Sequence, residues 1–261
     1  MLVLSSLIVG SGIYLFSSEI IELFFGAQYI NAESALFILI IAMILHNGGF
    51  WINPSMLALG KAKYLTIITA ITSQNTQHVS DIEPVSINSL KSQFNSILSD
   101  FHIDAIKIGM VYNSQIIKVI NSKLRRVKVP IIVDPIIKST TGAILLKKNA
   151  RHDYKKMIIP MADIITPNRY EAKVLSGQLY ANKSAKKIQS MGAKCVIITG
   201  ATSSNGKISD FVLEENIEYV ISGKKIPIRN HGSGCNYSAS IAVSLARGNT
   251  CLLYTSDAAD E

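Results

Sequence analysis

VPIIVDPII, residues 129–137, is an apolar, β-branched run that stops abruptly at Asp134-Pro135. Proline offers no N–H to a ladder and biases the residue before it away from helix, so the run reads as a short buried strand ending there. Three runs of the same texture surround it: DAIKIGM (104–110), ADIITPN (162–168) and KCVIITG (194–200). Between them lie SINSLKSQFNSILSDF (86–101), SQIIKVINSKLRR (114–126) and NKSAKKIQSMG (182–192), whose apolar residues recur at helical spacing. Short apolar strands alternating with amphipathic helices predict an α/β fold, a mainly parallel sheet covered by helices on both faces. The later stretch KISDFVLEENIEYVISGKKIPI (207–228) predicts antiparallel edge strands.

Outside this region the texture changes. The chain has 261 residues, 48% hydrophobic and only 17% charged. Residues 1–64 carry just Glu19, Glu22, Glu33, Lys61 and Lys63, and contain two uncharged apolar runs near the length of a membrane-spanning helix. A secretory signal is disfavoured because no basic segment precedes the first run; a buried helix of a soluble domain is the alternative. The last eleven residues, CLLYTSDAADE, continue no helix or strand pattern. They read as translated sequencing adapter, the alternative being a natural disordered tail, and are set aside from the fold. With both ends removed, residues 65–250 keep 24 of the 26 Lys and Arg but 12 of the 18 Asp and Glu, a net charge of +12. Such a balance suits an anionic substrate such as a nucleotide. SKLRRVKV (122–129) and KSAKKIQS (183–190) also read simply as solvated helix faces. Nucleic acid is disfavoured, since no aromatic stacking platform or reading helix is evident. Three cysteines make no disulfide framework and fit a reducing, cytoplasmic compartment.

Several stretches carry candidate chemistry. Gly232-Ser233-Gly234-Cys235 opens a helical, small-residue segment, leaving backbone N–H groups bare beside a thiol. That arrangement suits an anion, and the helix dipole there favours a thiolate able to take a proton from a hydroxyl. The plain alternative is a tight helix start with a structural cysteine. In TPNRYEA (166–172), Asn168 and Glu171 stand three apart after a strand and a proline. They read either as a capping box or as phosphate and magnesium organisers at the carboxyl end of a strand. Asp134 ends its own strand, an active-site address and equally a turn. Gln74 could hydrogen-bond a planar heterocycle and Met110 could pack on its face, although lone Gln and Met residues are commonly surface and core.

Taken together, TAITSQNT (69–76), DAIKIGM, VDPIIKSTTGAILL (133–146), ADIITPNRYEAKVLSG (162–177) and HGSGCNYSASIAVSLARG (231–248) follow the order and spacing of one family. Residues 65–250 resemble the hydroxymethylpyrimidine/phosphomethylpyrimidine kinases of thiamin biosynthesis, within the ribokinase-like fold. The resemblance implies a three-layer sandwich that uses ATP and Mg2+ to phosphorylate a small pyrimidine twice. It makes Cys235 the catalytic base, with Gly232, Ser233 and Gly234 as the anion hole. Gln74, Met110 and Ile136 would line the pyrimidine pocket. Asp134, Asn168, Glu171 and Thr199 would contact ATP and its phosphates, with Glu171 also serving the metal. A homodimer is implied as well. A pyridoxal-type kinase is the neighbouring alternative.

Two departures stand out. The family opens with a strand and a Gly/Ser/Asp-rich loop that closes over the pyrimidine, and no such segment precedes LTIITAITSQNT (65–76). In its place IELFFGAQYINAESALFILI (21–40) and PSMLALGKAKY (54–64) resemble helices of a polysaccharide flippase. The expectation is a kinase sheet lacking its N-terminal strand, preceded by a transmembrane fragment over 1–64 and joined artificially. A membrane-tethered, non-enzymatic fragment is the alternative. ITGATSSNGKISD (198–210) also replaces the family's usual KGGH, putting Thr199 where a lysine is expected and leaving Lys207 to supply charge.

Overall fold

The computed structural model describes residues 11–32, 36–37, 65–75, 77–204, 206–224 and 232–249. They fall into two compact units, Met1–Thr66 and Ile67–Glu261.

In the first unit, helical residues 11–15 are separated by a turn at Phe16 from α1, Ser17–Phe25, and a 3-10 turn follows at Ala27–Ala32. The expectation of membrane-spanning helices is not met here. At nine residues α1 rises about 14 Å, less than half of a hydrocarbon core of about 30 Å. Two serines and two glutamates, Ser17, Ser18, Glu19 and Glu22, interrupt its apolar surface. Among the described residues no helix is long and apolar enough to cross a membrane. Residues 1–10, most of the second apolar run (34–51), and the adapter-like tail (251–261) lie outside the described residues.

The second unit opens with a hairpin, β1 (Ala70–Gln74) and β2 (Val79–Pro84), paired antiparallel as its own two-stranded sheet. Among the described residues the main sheet has six strands in chain order: β3 (Ile106–Ile108), β4 (Ile131–Val133), β5 (Ile164–Ile165), β6 (Cys195–Ser204), β7 (Lys207–Glu214) and β8 (Ile217–Lys224). The β3–β4, β4–β5 and β5–β6 pairs are parallel, and β6–β7 and β7–β8 antiparallel. The strand types expected from the sequence are therefore present, and among the described residues β3 is an edge of this sheet.

Two residues decide where the parallel strands stop. After β4, Asp134 N donates to Ile108 O at 2.8 Å, and Pro135 then has nothing to donate. After β5, Thr166 N donates to Val133 O at 2.9 Å, and Pro167 ends that ladder in the same way. Both strands thus release their chains at the same edge, the carboxyl end.

Alternation along the strands splits the core in two. Ile131, Val133, Ile165, Val196, Ile198, Phe211 and Leu213 face one cluster, and Ile132, Ile164, Cys195, Ile197 and Val212 the other. Five helices cover the first face: α2 (Ile87–Asp100), α3 (Ser114–Leu124), α4 (Arg151–Met157), α5 (Arg169–Ser176) and α6 (Ala181–Gln189). Among the described residues one helix, α7 (Ser233–Ala246), covers the second, through Ile241. The helices form for legible reasons. Ser86 and Asn113 cap α2 and α3 by accepting from Ser89 N and Ile116 N, and α3 buries Ile116, Ile117, Val119, Ile120 and Leu124 along one stripe. Each such side chain contributes about 1.5–3 kcal/mol of burial.

Candidate active site

Three chain segments meet at the carboxyl end of the parallel strands. Asp134, immediately after β4, is only 6% exposed, and its carboxylate needs partners to stay there. Lys107, the middle residue of β3, brings its Nζ to 3.6 Å from Asp134 Oδ2. Ser238, one turn into α7, places Oγ 3.0 Å from the same oxygen. That hydroxyl also lies 3.0 Å from the Gly234 carbonyl and 3.1 Å from the Cys235 carbonyl. With one proton to give, the charged carboxylate is its strongest acceptor. Lys107 Nζ in turn donates to the Cys235 carbonyl at 3.3 Å, and the Cys235 thiol lies within hydrogen-bonding reach of Asp134. Cys235 itself is exposed.

The electrostatics follow from this crowding. Burial pushes the Asp134 carboxyl above its ordinary value, against the pull of Lys107 and of the Ser238 and Cys235 hydrogen bonds. The Cys235 thiol is also pushed up, first by desolvation and then by the Asp134 charge, with Lys107 opposing. The helix N-terminus was expected to favour the thiolate. Desolvation of the thiol, joined by a whole negative charge within hydrogen-bonding reach, outweighs the partial positive charge of the helix end.

The start of α7 is bare. Gly232 occupies the N-cap with φ 86°, and no side chain caps the helix. Among the described residues, a Cβ on Gly232 or Gly234 would meet nothing within 4 Å along the first turn. For Gly232 the positive φ explains the glycine; at Gly234, where φ requires no glycine, the missing side chain leaves room for a ligand to approach the N–H groups.

The start of α5 is the reverse. Asn168 accepts from Glu171 N at 3.0 Å and Glu171 Oε2 accepts from Asn168 N at 3.0 Å, the full capping box. Glu171 goes beyond a cap, however. It is 4% exposed, and its Oε1 accepts from Ile137 N at 3.3 Å, tying α5 to the loop that follows Asp134. Burial raises its carboxyl to about 7, with the two backbone N–H groups opposing and Asp134 adding to the rise. Beneath both carboxylates Tyr154 is 1% exposed, and its hydroxyl has no hydrogen-bond partner among the described residues.

The expected site residues thus divide. Asp134, Cys235 and Glu171 act on one another, and Gly232, Ser233 and Gly234 form the helix start beside them. Thr199 joins them through backbone, its N donating to Pro167 O at 3.0 Å in a bridge opposite Asn168. Met110 is half-buried after β3, and its carbonyl accepts from Thr69 Oγ1 at 2.8 Å, near the base of the β1–β2 hairpin. Ile136 approaches the Gly109 position at the end of β3. Gln74 ends β1 and is exposed, with no bond to the Asp134 cluster, and Lys207 starts β7, exposed opposite Ser204. The sequence reading missed Lys107, Ser238 and Tyr154. A lysine inside the apolar run AIKIG was the one visible signal.

Comparison with known proteins points to one family and one fold. The sequence model of the family described as phosphomethylpyrimidine kinase matches residues 58–259, running past both expected domain boundaries. A hydroxymethylpyrimidine/phosphomethylpyrimidine kinase of Rhizobium meliloti is 34% identical over 190 residues, covering 70% of this chain and 71% of that protein. The crystal structure of a phosphomethylpyrimidine kinase from Clostridium difficile superposes with TM-score 0.65 at 29% identity, covering 80% of this chain and 88% of the other. A pyridoxal kinase from Staphylococcus aureus, solved with AMP-PCP and pyridoxal, gives TM-score 0.66 at 26% identity, covering 79% and 77%.

Proposed function

The chain belongs to the phosphomethylpyrimidine kinase family, and from that we propose that it phosphorylates 4-amino-5-hydroxymethyl-2-methylpyrimidine and its monophosphate with ATP, in thiamin biosynthesis. The observation that carries the reading is the Asp134–Cys235 pair set beside the uncapped start of α7. Backbone N–H groups of Gly232, Ser233 and Gly234, which no side chain among the described residues caps, would cradle a transferring phosphoryl group, whose charge is spread over its oxygens. Cys235 is the group beside that cradle able to accept the substrate hydroxyl proton, passing its own proton to Asp134. Asp134, Asn168 and Thr199 stand at the strand ends where nucleotide phosphates would lie. Glu171 fits a magnesium ion: it is a buried oxygen donor near a second carboxylate, and Mg2+ is commonly held by one or two carboxylates plus phosphates and waters. When bound, that ion neutralises phosphate charge. Gln74, Met110 and Ile136 would line the pyrimidine side.

The domain reading is also a proposal: a kinase domain over 65–250, preceded by a foreign segment over 1–64 and followed by an adapter-derived tail. With no Gly/Ser/Asp-rich segment before Leu65, the pyrimidine pocket lacks a wall, and turnover by this chain should be little or none. The test assays ATP-dependent phosphorylation by the 261-residue chain and by one whose residues 1–64 are exchanged for a relative's loop-bearing segment. The expected result is activity only in the second, reduced about 100-fold or more by Cys235→Ala. Robust turnover by the first defeats the impairment, and none in the second defeats the kinase reading. Likeness to the S. aureus pyridoxal kinase makes pyridoxal the comparison substrate; preference for it would favour the neighbouring activity.

A further inference from the structure

β3 presents Ile106 and Ile108 to the larger core cluster, so Lys107 points to the opposite face, the one α7 covers. A charge there is not required by packing. A methionine would fill the same stem, and replacing partly buried ion pairs with apolar groups is often neutral or stabilising. Yet the Lys107 ammonium sits between two specific acceptors, Asp134 Oδ2 at 3.6 Å and the Cys235 carbonyl at 3.3 Å. It thereby links the end of β4 to the first turn of α7, residues 128 positions from it in sequence.

We propose that Lys107 is a positioning residue for Cys235: its ammonium clamps Asp134 and the first turn of α7 together and supplies the positive charge that the thiol needs to act as a base. The inference rests on the kinase reading for its purpose but not for its geometry. Of the charges acting on Cys235, Asp134 and Glu171 disfavour the thiolate and Lys107 favours it. Among the described residues, Lys107 is the charge that opposes Asp134 and Glu171 at the thiol.

The test measures carboxamidomethylation of Cys235 by iodoacetamide at pH 8 in the full chain, read on the Cys235 peptide by mass spectrometry. Lys107→Met should slow labelling about three- to tenfold, because thiolate is the nucleophile and its loss is only partly offset by higher intrinsic reactivity. Lys107→Arg, which keeps the charge, should stay within about twofold of the parent. A residue that merely anchored α7 would give the opposite result, because a loosened helix leaves an already exposed cysteine equally or more reactive. Unchanged or faster labelling of Lys107→Met therefore overturns the proposal. Labelling of the buried Cys195 reports unfolding. Should Lys107→Met unfold, Lys107→Gln takes its place with the same expected slowing. No substrate is present, so a failed kinase assay leaves this result standing, and a failed labelling test leaves the kinase assay untouched.

Discussion

Two helices start at the same end of the sheet and solve the problem of their first N–H groups in opposite ways. The start of α5 is closed by its own residues: Asn168 and Glu171 satisfy each other's backbone, and Glu171 reaches on to Ile137. The start of α7 is left open, with a left-handed glycine where a capping side chain would stand. Capping is worth about 1 kcal/mol, so a helix that forgoes it keeps those donors available for something else. Asp134 links the closed and open starts, since its charge is felt by both Glu171 and Cys235. One end is closed by its own side chains, and the other is left uncapped, the place proposed for an anion.

The strongest way to break this contrast is at the closed end. Glu171 has its carboxyl raised to about 7, from the ordinary 4.5, so the folded protein holds a proton that the unfolded chain has released. Between those values folding takes up protons, and stability falls as pH rises from about 4.5 to about 7. The full span corresponds to about 3 kcal/mol. Glu171→Gln cannot titrate, so its urea-unfolding free energy should lack that fall when compared with the parent across pH 4.5–8. Parallel pH profiles for the two chains would mean that Glu171 is not held in the buried position described, and the closed start would lose its claim to be more than a cap.

The open end makes the converse prediction, smaller in size. Gly234→Ala adds a methyl group where protein atoms leave space. Folding stability should be unchanged or raised by up to about 0.5 kcal/mol, since alanine suits a helix better. Affinity for AMP-PCP with magnesium should nevertheless drop about tenfold, because the methyl group occupies the approach to the bare N–H groups. Calorimetric titration checks it. Unaltered affinity would show that the phosphate goes elsewhere, and the open start would then be only an uncapped helix.

Much of this was readable in the chain. Asp134-Pro135 and Thr166-Pro167 announce strand ends because proline cannot continue a ladder, and Asn168 with Glu171 spells a capping box. The glycines at 232 and 234 mark an open helix start for the same local reasons. What stayed hidden depends on distant residues meeting. Ser238 reaches Asp134 across 104 positions, and nothing local in SASIAV says so. The raised pKa of the Cys235 thiol was hidden on the same account: the helix end is visible in sequence, while the desolvation of the thiol and the opposing carboxylate are not. In residues 1–64 apolar composition suggested membrane spans, but composition does not fix helix length, and α1 ends after nine residues.

The finest division concerns Asn168, which belongs to the closed start and also stands among the proposed phosphate contacts. Asn168→Ala removes the side chain that accepts from Glu171 N and should cost about 1 kcal/mol, seen as a fall of about 2–4 °C in Tm. Asn168→Ser keeps a capping oxygen and should recover most of that loss. The two roles then separate in the serine variant. If its Tm returns but its AMP-PCP affinity does not, the amide serves the nucleotide as well as the helix. If both return together, Asn168 acts through α5 alone, because a well-capped helix is then all that the site requires of this position. A Tm left unmoved by Asn168→Ala would mean that the Glu171 bonds to Asn168 N and Ile137 N already suffice to fix the start of α5. The closed end would then rest on the glutamate, not on the box.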